Sequence, residues 1–196
     1  RAGDRVLLVG CGSGRDLIAL LGLGCRVEGL DPVPECIAAA AQRLARRGLT
    51  APLHTGWVET MTLDTEYDAV VFSWDCYGLI QHRATRVRVL SAVRRHLAPG
   101  GRVLLSYVAA GRPPRPLLIG LARAVARLSG SDWRPERGDV LVPTDASPAG
   151  AHYEHHFRRD EIEREVQAVG LRVVFHAPTP NGLGLLAAEH GGPPPS

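Results

Sequence analysis

The sequence contains no lysine, a single methionine and few aromatic residues. Its 23 basic residues are therefore all arginine, and the formal net charge is only +3 over 196 residues. Arginine without lysine, together with abundant alanine, glycine and proline, is typical of a GC-rich bacterial genome, so it is weak support for anion recognition. A dedicated nucleic-acid-binding protein concentrates basic residues on one face, and this nearly balanced charge argues against that class.

Cysteine and long apolar segments are also scarce. The four cysteines, Cys11, Cys25, Cys36 and Cys76, form no CxxC pair and lie at no zinc-ligand spacing from a histidine. Free thiols in a reducing cytoplasm are the simplest interpretation. The longest apolar run, LIALLGLGC, is too short to span a bilayer, and no signal peptide is visible. We therefore expect a cytoplasmic protein without a membrane partner.

Apolar runs of strand length alternate with helix-like stretches along most of the chain. The predicted strands are RVLLVG, CRVEGLD, APLHTG, YDAVVFSW and GRVLLSYV, followed by LRVVFHA and LGLLAAE around the turn PTPNG. This alternation predicts an α/β fold with a doubly wound, mostly parallel seven-stranded sheet, to which the C-terminal hairpin adds an antiparallel strand. Such sheets bind ligands at the carboxyl ends of their strands.

One domain is expected to occupy residues 1–190, a length sufficient to bury a core. The tail 191–196, GGPPPS, is predicted to be disordered. Segment 111–150 interrupts the alternation after the fifth strand, at the ligand-binding edge, and is either a lid over the site or a surface elaboration. The sequence begins with Arg1 and has its methionine at Met61, so we expect that a preceding segment is absent.

The segment VLLVGCGSGRDL places three alternating glycines, Gly10, Gly12 and Gly14, between the first strand and the first helix. A dinucleotide fingerprint requires a small residue one position after the third glycine, where this chain has Arg15. A Walker loop is excluded because no G-K-[ST] follows. The glycines alone leave two interpretations open, a ligand-binding loop and a tight turn between strand and helix.

Asp31 ends the second predicted strand, beside this loop. Its ionised carboxylate can accept hydrogen bonds from both hydroxyls of a ribose. Aspartate is also a favoured helix N-cap, so Asp31 could instead begin the helix that follows. Because NAD enzymes place an acid in the same position, Asp31 predicts a ribose without identifying the cofactor.

Four segments in this order and spacing, VLLVGCGSGRDL, VEGLDPVPECIAAA, YDAVVFSW and HLAPGGRVLLSYV, resemble the class I S-adenosylmethionine-dependent methyltransferases, a Rossmann-like, seven-stranded family. The later segment FRRDEIEREVQAVGLRVVFHA resembles the last helix and the penultimate strand of that family. The resemblance covers nearly the whole chain except segment 111–150. It implies S-adenosylmethionine as cofactor.

The resemblance also implies a set of cofactor-binding residues, all of which follow strands one to four. They are Gly10, Cys11, Gly12, Gly14, Asp31, Pro32, Gly56, Trp57, Val58, Ser73 and Trp74. The loop residues would lie against the methionine part of the cofactor, and Asp31 would hold its ribose. Residues after strands two and three would contact the adenine, and those after strand four would lie near the transferable methyl group.

The sequence departs from the family pattern at two positions. Leu8 stands where the family often has an acid, and no aspartate lies near Trp57 to bind the adenine amino group, although Glu59 or a backbone carbonyl could substitute. These departures motivate a second hypothesis, a methyltransferase-like binding module without catalysis. A third hypothesis, an NAD-dependent oxidoreductase, is disfavoured by Arg15.

Methyl transfer from a sulfonium is an in-line displacement, for which a protein mainly aligns the nucleophile and excludes water. A base is needed only where the acceptor must lose a proton. The candidate bases or acceptor contacts near the strand ends are Asp75, Tyr77, His82 and His155.

The segment HYEHHF, residues 152–157, is predicted to be extended. His152, Glu154 and His156 would then share one face, with His155 on the other. A metal site from the first three is conceivable, but no fourth ligand is evident, so no metal is predicted.

The acceptor is expected to be a small organic molecule with an oxygen or nitrogen nucleophile. The S/N/D-P-P-[YF] signature of nucleic-acid amino methyltransferases is missing after the fourth strand, where SWDCYG stands. No three-cysteine arrangement suggests arsenic methylation. The sequence leaves the identity of the acceptor and the oligomeric state open.

Overall fold

The computed structural model describes residues 1–61, 66–111, 116–144, 150–178 and 182–190. The helices and strands of these residues follow in the order β1 (Arg5–Val9), α1 (Arg15–Gly22), β2 (Arg26–Asp31), α2 (Pro34–Ala45), β3 (Leu53–Thr55), β4 (Tyr67–Phe72), α3 (Arg83–Arg95), β5 (Leu97–Val108), α4 (Pro116–Leu128), β6 (Asp139–Pro143), β7 (Ala151–His155), α5 (Arg159–Ala168), β8 (Leu171–Pro178) and β9 (Leu183–His190).

The main sheet has seven strands in the order β3-β2-β1-β4-β5-β9-β8. Strands β3, β2, β1, β4 and β5 pair in parallel, whereas β9 runs antiparallel to both of its neighbours. The predicted fold class is therefore confirmed. The strand order reverses between β1 and β4, so the carboxyl ends of these two strands mark the position at which doubly wound sheets bind ligands.

Helices cover both faces of the sheet, which explains why the central strands are apolar along their whole length. Successive side chains of a strand point to opposite faces. Leu7 lies in the larger apolar cluster, and Leu8 lies in the smaller cluster, which also holds Leu17 of α1 and Ala40 of α2. Both leucines are fully buried. The departure from the family pattern at position 8 therefore lies within an apolar layer of the core.

The fifth strand begins earlier than the sequence predicts. Strand β5 starts at Leu97, and its register with β4 shifts between the pairs Tyr67–Leu97 and Ala69–Arg102. The residues APGG, which precede the predicted strand GRVLLSYV, lie in this irregularity. A Cβ on Gly101 would lie only 2.8 Å from the carbonyl oxygens of Ala98 and Tyr67, so the close approach of the two chains requires glycine at this position.

The segment that interrupts the alternation contains α4 and β6, and β6 pairs with β7 in a separate antiparallel hairpin. The extended structure predicted around residues 152–157 is present, whereas β6 was not predicted. Residues 112–115 and 145–149 of the segment and the tail 191–196 lie outside the described residues, so disorder of the tail stays a prediction. Within the described part of the chain, no helix is long and apolar enough to cross a membrane.

Candidate functional site

The glycine loop connects β1 to α1 at the point where the strand order reverses. Gly10, Gly12 and Gly14 have φ values of 69°, 51° and 85°, a region that favours glycine. A Cβ on Gly10 would lie 2.3 Å from Sγ of Cys76, and one on Gly14 would lie 3.1 Å from Cα of Ala40. A Cβ on Gly12 would meet no atom within 4 Å. Packing therefore explains the first and third glycines, and the middle glycine borders open space.

Asp31 connects the glycine loop to the start of α2. Its Oδ2 accepts a hydrogen bond from the backbone N–H of Gly12 at 2.9 Å, and its Oδ1 accepts one from the N–H of Val33 at 3.0 Å. Val33 is the N-cap residue of α2, which has no side-chain cap hydrogen bond, so the alternative interpretation of Asp31 as the helix N-cap is wrong. Each oxygen has a further lone pair that could accept a ribose hydroxyl.

The residues after β3 include an exposed tryptophan, Trp57, and a buried valine, Val58. The N–H of Gly56 donates to the carbonyl oxygen of Asp31 at 3.1 Å, which fixes this segment beside β2. Trp57 is 58% exposed, whereas Val58 is buried in the larger apolar cluster. Trp57 can therefore offer a flat apolar surface to a ligand, while the side chain of Val58 serves packing. Pro32, on the neighbouring strand end, is half-buried.

Ser73 follows β4 and contacts an acid that the sequence analysis did not single out. Its N–H donates to the carbonyl oxygen of Val9, and its Oγ donates to Oδ2 of Asp16 at 2.6 Å. Arg15 also donates to Asp16, and this hydrogen bond lowers the pKa of the carboxyl. Asp16 lies in the first turn of α1, where acids are favoured by the helix dipole. This position beside the glycine loop could have indicated Asp16 from the sequence.

The side chain of Cys11 is turned away from this edge. It is buried in the smaller apolar cluster, and burial raises the pKa of its thiol to about 12. Only the backbone of Cys11 can contribute to a ligand site.

Asp75 lies beyond Ser73 and Trp74, in the loop after β4. Its φ is 48°, its N–H donates to Oγ of Ser106, and its Oδ1 accepts from the N–H of Val108 at 3.1 Å. The side chain is buried, and its Oδ2 has no hydrogen-bond partner among the described residues. Burial, reinforced by the carboxylate of Glu154, raises the pKa of Asp75 to about 6. The preceding Trp74 is 61% exposed.

Two of the candidate catalytic residues, Tyr77 and His155, are fully buried. The hydroxyl of Tyr77 donates to Oε2 of Glu165 at 2.7 Å. His155 lies 2.7 Å from Oδ1 of Asp139 and 3.1 Å from Oε1 of Glu161. Burial opposes protonation of His155, but these two hydrogen bonds raise its pKa overall. Because both side chains are hydrogen-bonded to acids in the protein interior, we do not propose either of them as the acid–base group.

These contacts belong to a buried charge network that joins α3, α5 and the segment before β6. Its members are Arg86, Glu136, Asp139, His155, Glu161 and Glu165. Ligand atoms of Glu136, Asp139 and His155 lie within 4.8 Å of one another, a distance that suits a shared cation. However, Asp139 already accepts hydrogen bonds from His155 and Tyr153, and Glu136 accepts from Arg86. We therefore assign no metal to the network.

The remaining candidate, His82, is half-buried and precedes α3 with a φ of 66°. On β7, Glu154 accepts hydrogen bonds from Nε2 of His152 at 2.7 Å and from Nε2 of His156 at 3.0 Å. The predicted sharing of one strand face by these three residues is therefore confirmed. Partial burial opposes ionisation, but the two hydrogen bonds lower the pKa of Glu154.

A model of the methyltransferase domain family matches residues 6–101, which include the glycine loop, Asp31 and the loop after β4. The structure of a glycopeptide N-methyltransferase, MtfA, complexed with (S)-adenosyl-L-methionine, superimposes with a TM-score of 0.70. It is 24% identical, and the match covers 95% of this chain and 87% of that one. Residues 6–101 of this chain therefore resemble the methyltransferase domain family, and the chain as a whole shares the fold of that solved structure.

Two curated relatives show how far the similarity extends. A dTDP-3-amino-3,6-dideoxy-alpha-D-glucopyranose N,N-dimethyltransferase from Streptomyces fradiae is 28% identical over 205 residues, covering 95% of this chain and 77% of that protein. A ubiquinone biosynthesis O-methyltransferase from Xanthomonas axonopodis pv. citri (strain 306) is 29% identical over 131 residues, covering 65% of this chain and 52% of that protein. The chain spans about half the length of most curated relatives that it matches.

The glycine loop offers a test of whether the open space beside Gly12 is a binding surface. Gly12→Ala is expected to weaken binding of S-adenosylhomocysteine about tenfold or more, because the new methyl group enters that space. The left-handed backbone should cost about 1–2 kcal/mol of stability. Gly100→Ala is the matched control, since Gly100 has a φ of 77° and equally open surroundings at the start of β5.

The two variants are compared by calorimetric titration and by urea unfolding. Equal losses of stability with a loss of affinity in Gly12→Ala alone support the binding surface. Unchanged affinity in Gly12→Ala would show that the middle glycine serves only the turn.

Proposed function

We propose that this protein is a methyltransferase, which transfers the methyl group of S-adenosylmethionine to an oxygen or nitrogen atom of a small organic acceptor. The observation that carries the proposal is the open side of Gly12, whose N–H is held by the carboxylate of Asp31. Close packing accounts for the glycines on either side of Gly12, whereas no atom of the described residues occupies the space beside Gly12 itself. A nucleoside with an attached amino acid fits it, because one end needs a ribose partner and the other needs close approach to backbone.

Each part of the site has a proposed role toward the cofactor. Asp31 accepts the ribose hydroxyls, and the exposed ring of Trp57 covers the adenine, with Pro32 and Gly56 at its edge. Gly10, Cys11, Gly12 and Gly14 approach the methionine part through their backbone. Ser73 and Trp74 lie near the methyl group, and Asp16 adds a carboxylate beside Ser73 at 2.6 Å.

When bound, S-adenosylmethionine supplies a methyl group already activated by a positively charged sulfur. The protein then has to orient the acceptor in line with that bond and exclude water. We assign the orientation to the loop after β4 and the exclusion of water to segment 111–150, which follows the carboxyl end of β5 and whose described part contains α4 and β6. Asp75 is the proposed base where the acceptor must lose a proton, and His82 is a second candidate.

The small-molecule class is supported by composition and by relatives. The names of similar proteins mention a glycopeptide, an amino sugar and ubiquinone biosynthesis, and they include both N- and O-methyltransferases. The four cysteines are free, which supports a cytoplasmic location, and the two curated relatives described above are bacterial.

The proposal is tested by incubating the protein with S-adenosylmethionine labelled with ¹³C in the methyl group and a defined mixture of small amines, phenols and alcohols. Mass spectrometry follows both S-adenosylhomocysteine and labelled products. We expect acceptor-dependent formation of S-adenosylhomocysteine, which Asp31→Ala abolishes. Release of S-adenosylhomocysteine no faster than in Asp31→Ala, despite bound cofactor, would contradict a methyltransferase acting on small molecules.

A further inference from the structure

Two neighbouring cavities on the surface of the described residues are lined mainly by arginine. The larger cavity has a volume of about 430 Å³ and contains three arginines in its wall, Arg123, Arg127 and Arg134. The smaller cavity has a volume of about 230 Å³ and contains four, Arg83, Arg137, Arg158 and Arg164. Glu136 lines both cavities, so they adjoin at this side chain. We call the two cavities together the arginine groove.

Most arginines of the groove have no acid as a partner. Within the described part of the chain, the side chains of Arg83, Arg127 and Arg137 form no hydrogen bond or ion pair. The side chains of Arg123 and Arg134 donate only to backbone carbonyl oxygens. The guanidinium groups of both cavities therefore keep donors and positive charge available for a ligand.

The two carboxylates that line the groove already face donors from the protein interior. Glu136 accepts a hydrogen bond from Nη2 of the fully buried Arg86 at 3.1 Å. Oε1 of Glu161 lies 3.1 Å from Nε2 of His155 and 4.0 Å from Nη2 of Arg86. Because these acids are compensated from inside, they do not neutralise the arginines on the surface. The groove has an excess of positive charge.

This excess favours a ligand with several negative charges. A planar guanidinium group can donate two parallel hydrogen bonds to a phosphate. A single carboxylate would leave most of the arginines unmatched, whereas two linked phosphates can occupy two adjoining cavities. The larger cavity lies within the range of roughly 300–1,000 Å³ that is common for ligand pockets. The limited volumes and the net charge of only +3 favour a small molecule over a nucleic acid.

The groove lies toward the edge of the sheet at which we propose that the cofactor binds. Arg83 is the first residue of α3, which follows the loop after the carboxyl end of β4. Phe157, the residue before Arg158, forms a β-bridge to Ala109, directly after the carboxyl end of β5. Strands β4 and β5 are parallel neighbours, so these two ends lie at the same edge. A ligand held in the smaller cavity can extend toward the loop after β4, to which we assigned the acceptor.

We propose that the arginine groove binds a diphosphate group of the methyl acceptor. The acceptor is then a small molecule in which a diphosphate is joined to the part that carries the oxygen or nitrogen nucleophile. This inference rests on the proposed function and deepens it, because it names the chemical class of the acceptor. The arginines bind and orient the acceptor, and the diphosphate itself does not react.

A binding experiment tests the groove without cofactor or turnover. Calorimetric titration with inorganic pyrophosphate is expected to show one site per chain, with sulfate binding at least about tenfold more weakly. Arg83→Gln and Arg137→Gln should each weaken pyrophosphate binding about tenfold or more, because each removes charge-assisted hydrogen bonds. Arg88→Gln is the matched control and should keep its affinity within about twofold. Arg88 is exposed on the same helix as Arg83, and its side-chain partner is Thr85.

A variant with the opposite sign tests the role of charge. Asp160 forms ion pairs with Arg158 at 3.1 Å and with Arg164 at 3.0 Å. Asp160→Asn releases both guanidinium groups, so pyrophosphate should bind about threefold more tightly or better. Glu66→Gln removes the same charge just before β4, at the opposite edge of the sheet, and should leave the affinity unchanged.

Three results of these titrations would overturn the groove as a diphosphate site. They are equal affinities for pyrophosphate and sulfate, wild-type affinity in both arginine variants, and tighter binding of a single-stranded oligonucleotide than of pyrophosphate through the same arginines. The first two would show attraction of counter-ions only, and the third would show a nucleic-acid site.

A kinetic experiment tests whether the diphosphate belongs to the acceptor or is a free ligand. Amino alcohols and diols with two to six carbons are offered as free compounds and as mono-diphosphate esters, with S-adenosylmethionine labelled with ¹³C in the methyl group. We expect kcat/KM for an ester to exceed that for its free compound about 100-fold or more. Arg83→Gln should reduce this advantage about tenfold, whereas Arg88→Gln should not change it.

The possible failures are distinguishable. Equal transfer to esters and free compounds, or no transfer to the esters despite bound cofactor, would contradict a diphosphate on the acceptor even if pyrophosphate binds. Absence of S-adenosylhomocysteine binding in the wild-type protein would contradict the proposed function itself.

Discussion

Arg86→Ala is expected to reduce the free energy of unfolding by about 3–5 kcal/mol, because it leaves a buried carboxylate without its counter-charge. Arg86 is fully buried and donates to both oxygens of Glu165, at 2.8 Å from its Nη2 and 3.1 Å from its Nε. It also donates to Glu136 and lies 5.1 Å from the ring centroid of Phe157. The hydrogen bonds to Glu165 outweigh burial and raise the pKa of Arg86.

Urea unfolding of matched variants measures this effect. Arg88→Ala removes an exposed arginine from the same helix and should change stability by less than about 0.5 kcal/mol. Tyr77→Phe removes only the hydrogen bond to Glu165, with an expected loss of about 1 kcal/mol. The double replacement Arg86→Met with Glu165→Leu should recover much of the loss. A loss below about 1 kcal/mol for Arg86→Ala would show that the network contributes little to the fold.

Asp31→Ala is expected to weaken binding of S-adenosylmethionine by a factor on the order of 100 or more. Each hydrogen bond between a ribose hydroxyl and a charged carboxylate contributes about 1.5–3 kcal/mol, and the variant loses two of them. The same carboxylate holds the N–H groups of Gly12 and Val33, so the loop also loses its connection to α2. Equilibrium dialysis with labelled S-adenosylmethionine measures the affinity.

Asp31→Asn separates these contributions. Asparagine keeps one oxygen acceptor and the shape of the side chain but loses the negative charge, so an intermediate affinity is expected. Thermal unfolding without ligand shows how much of the effect comes from the loop itself. If Asp31→Ala binds S-adenosylmethionine with unchanged affinity, Asp31 does not bind the ribose hydroxyls.

The sheet could be predicted from sequence because its order of elements is encoded in local patterns. Apolar runs such as RVLLVG are buried on both faces, as parallel strands between helices must be. The predicted turn PTPNG lies largely outside the described residues, but the strands before and after it pair antiparallel. Strand β6 was missed because its side chains are only partly buried and its partner β7 comes after a long connection. Such pairing depends on tertiary contacts more than on local preference.

The positions of the proposed cofactor-binding residues could be predicted from the sequence better than those of the candidate catalytic residues. Gly12 and Asp31 lie directly at strand ends, where topology alone brings them together, and their hydrogen bond is present. Tyr77 lies only two residues beyond Asp75, but the left-handed backbone at Asp75 redirects the chain, and Tyr77 points into the core. His155 was a candidate base or acceptor contact, but pairing of β7 with β6 buries it beside Asp139. Sequence spacing carries no information on either event.

The central claim is that the glycine loop and Asp31 form a binding site for S-adenosylmethionine. Calorimetric titration of the wild-type protein with S-adenosylhomocysteine, with NAD as the comparison ligand, tests it most directly. The account predicts one site per chain with an affinity in the micromolar range, which corresponds to about −8 kcal/mol, and no heat of binding for NAD. A protein that is folded but binds NAD, or that shows no binding of S-adenosylhomocysteine, would contradict the account.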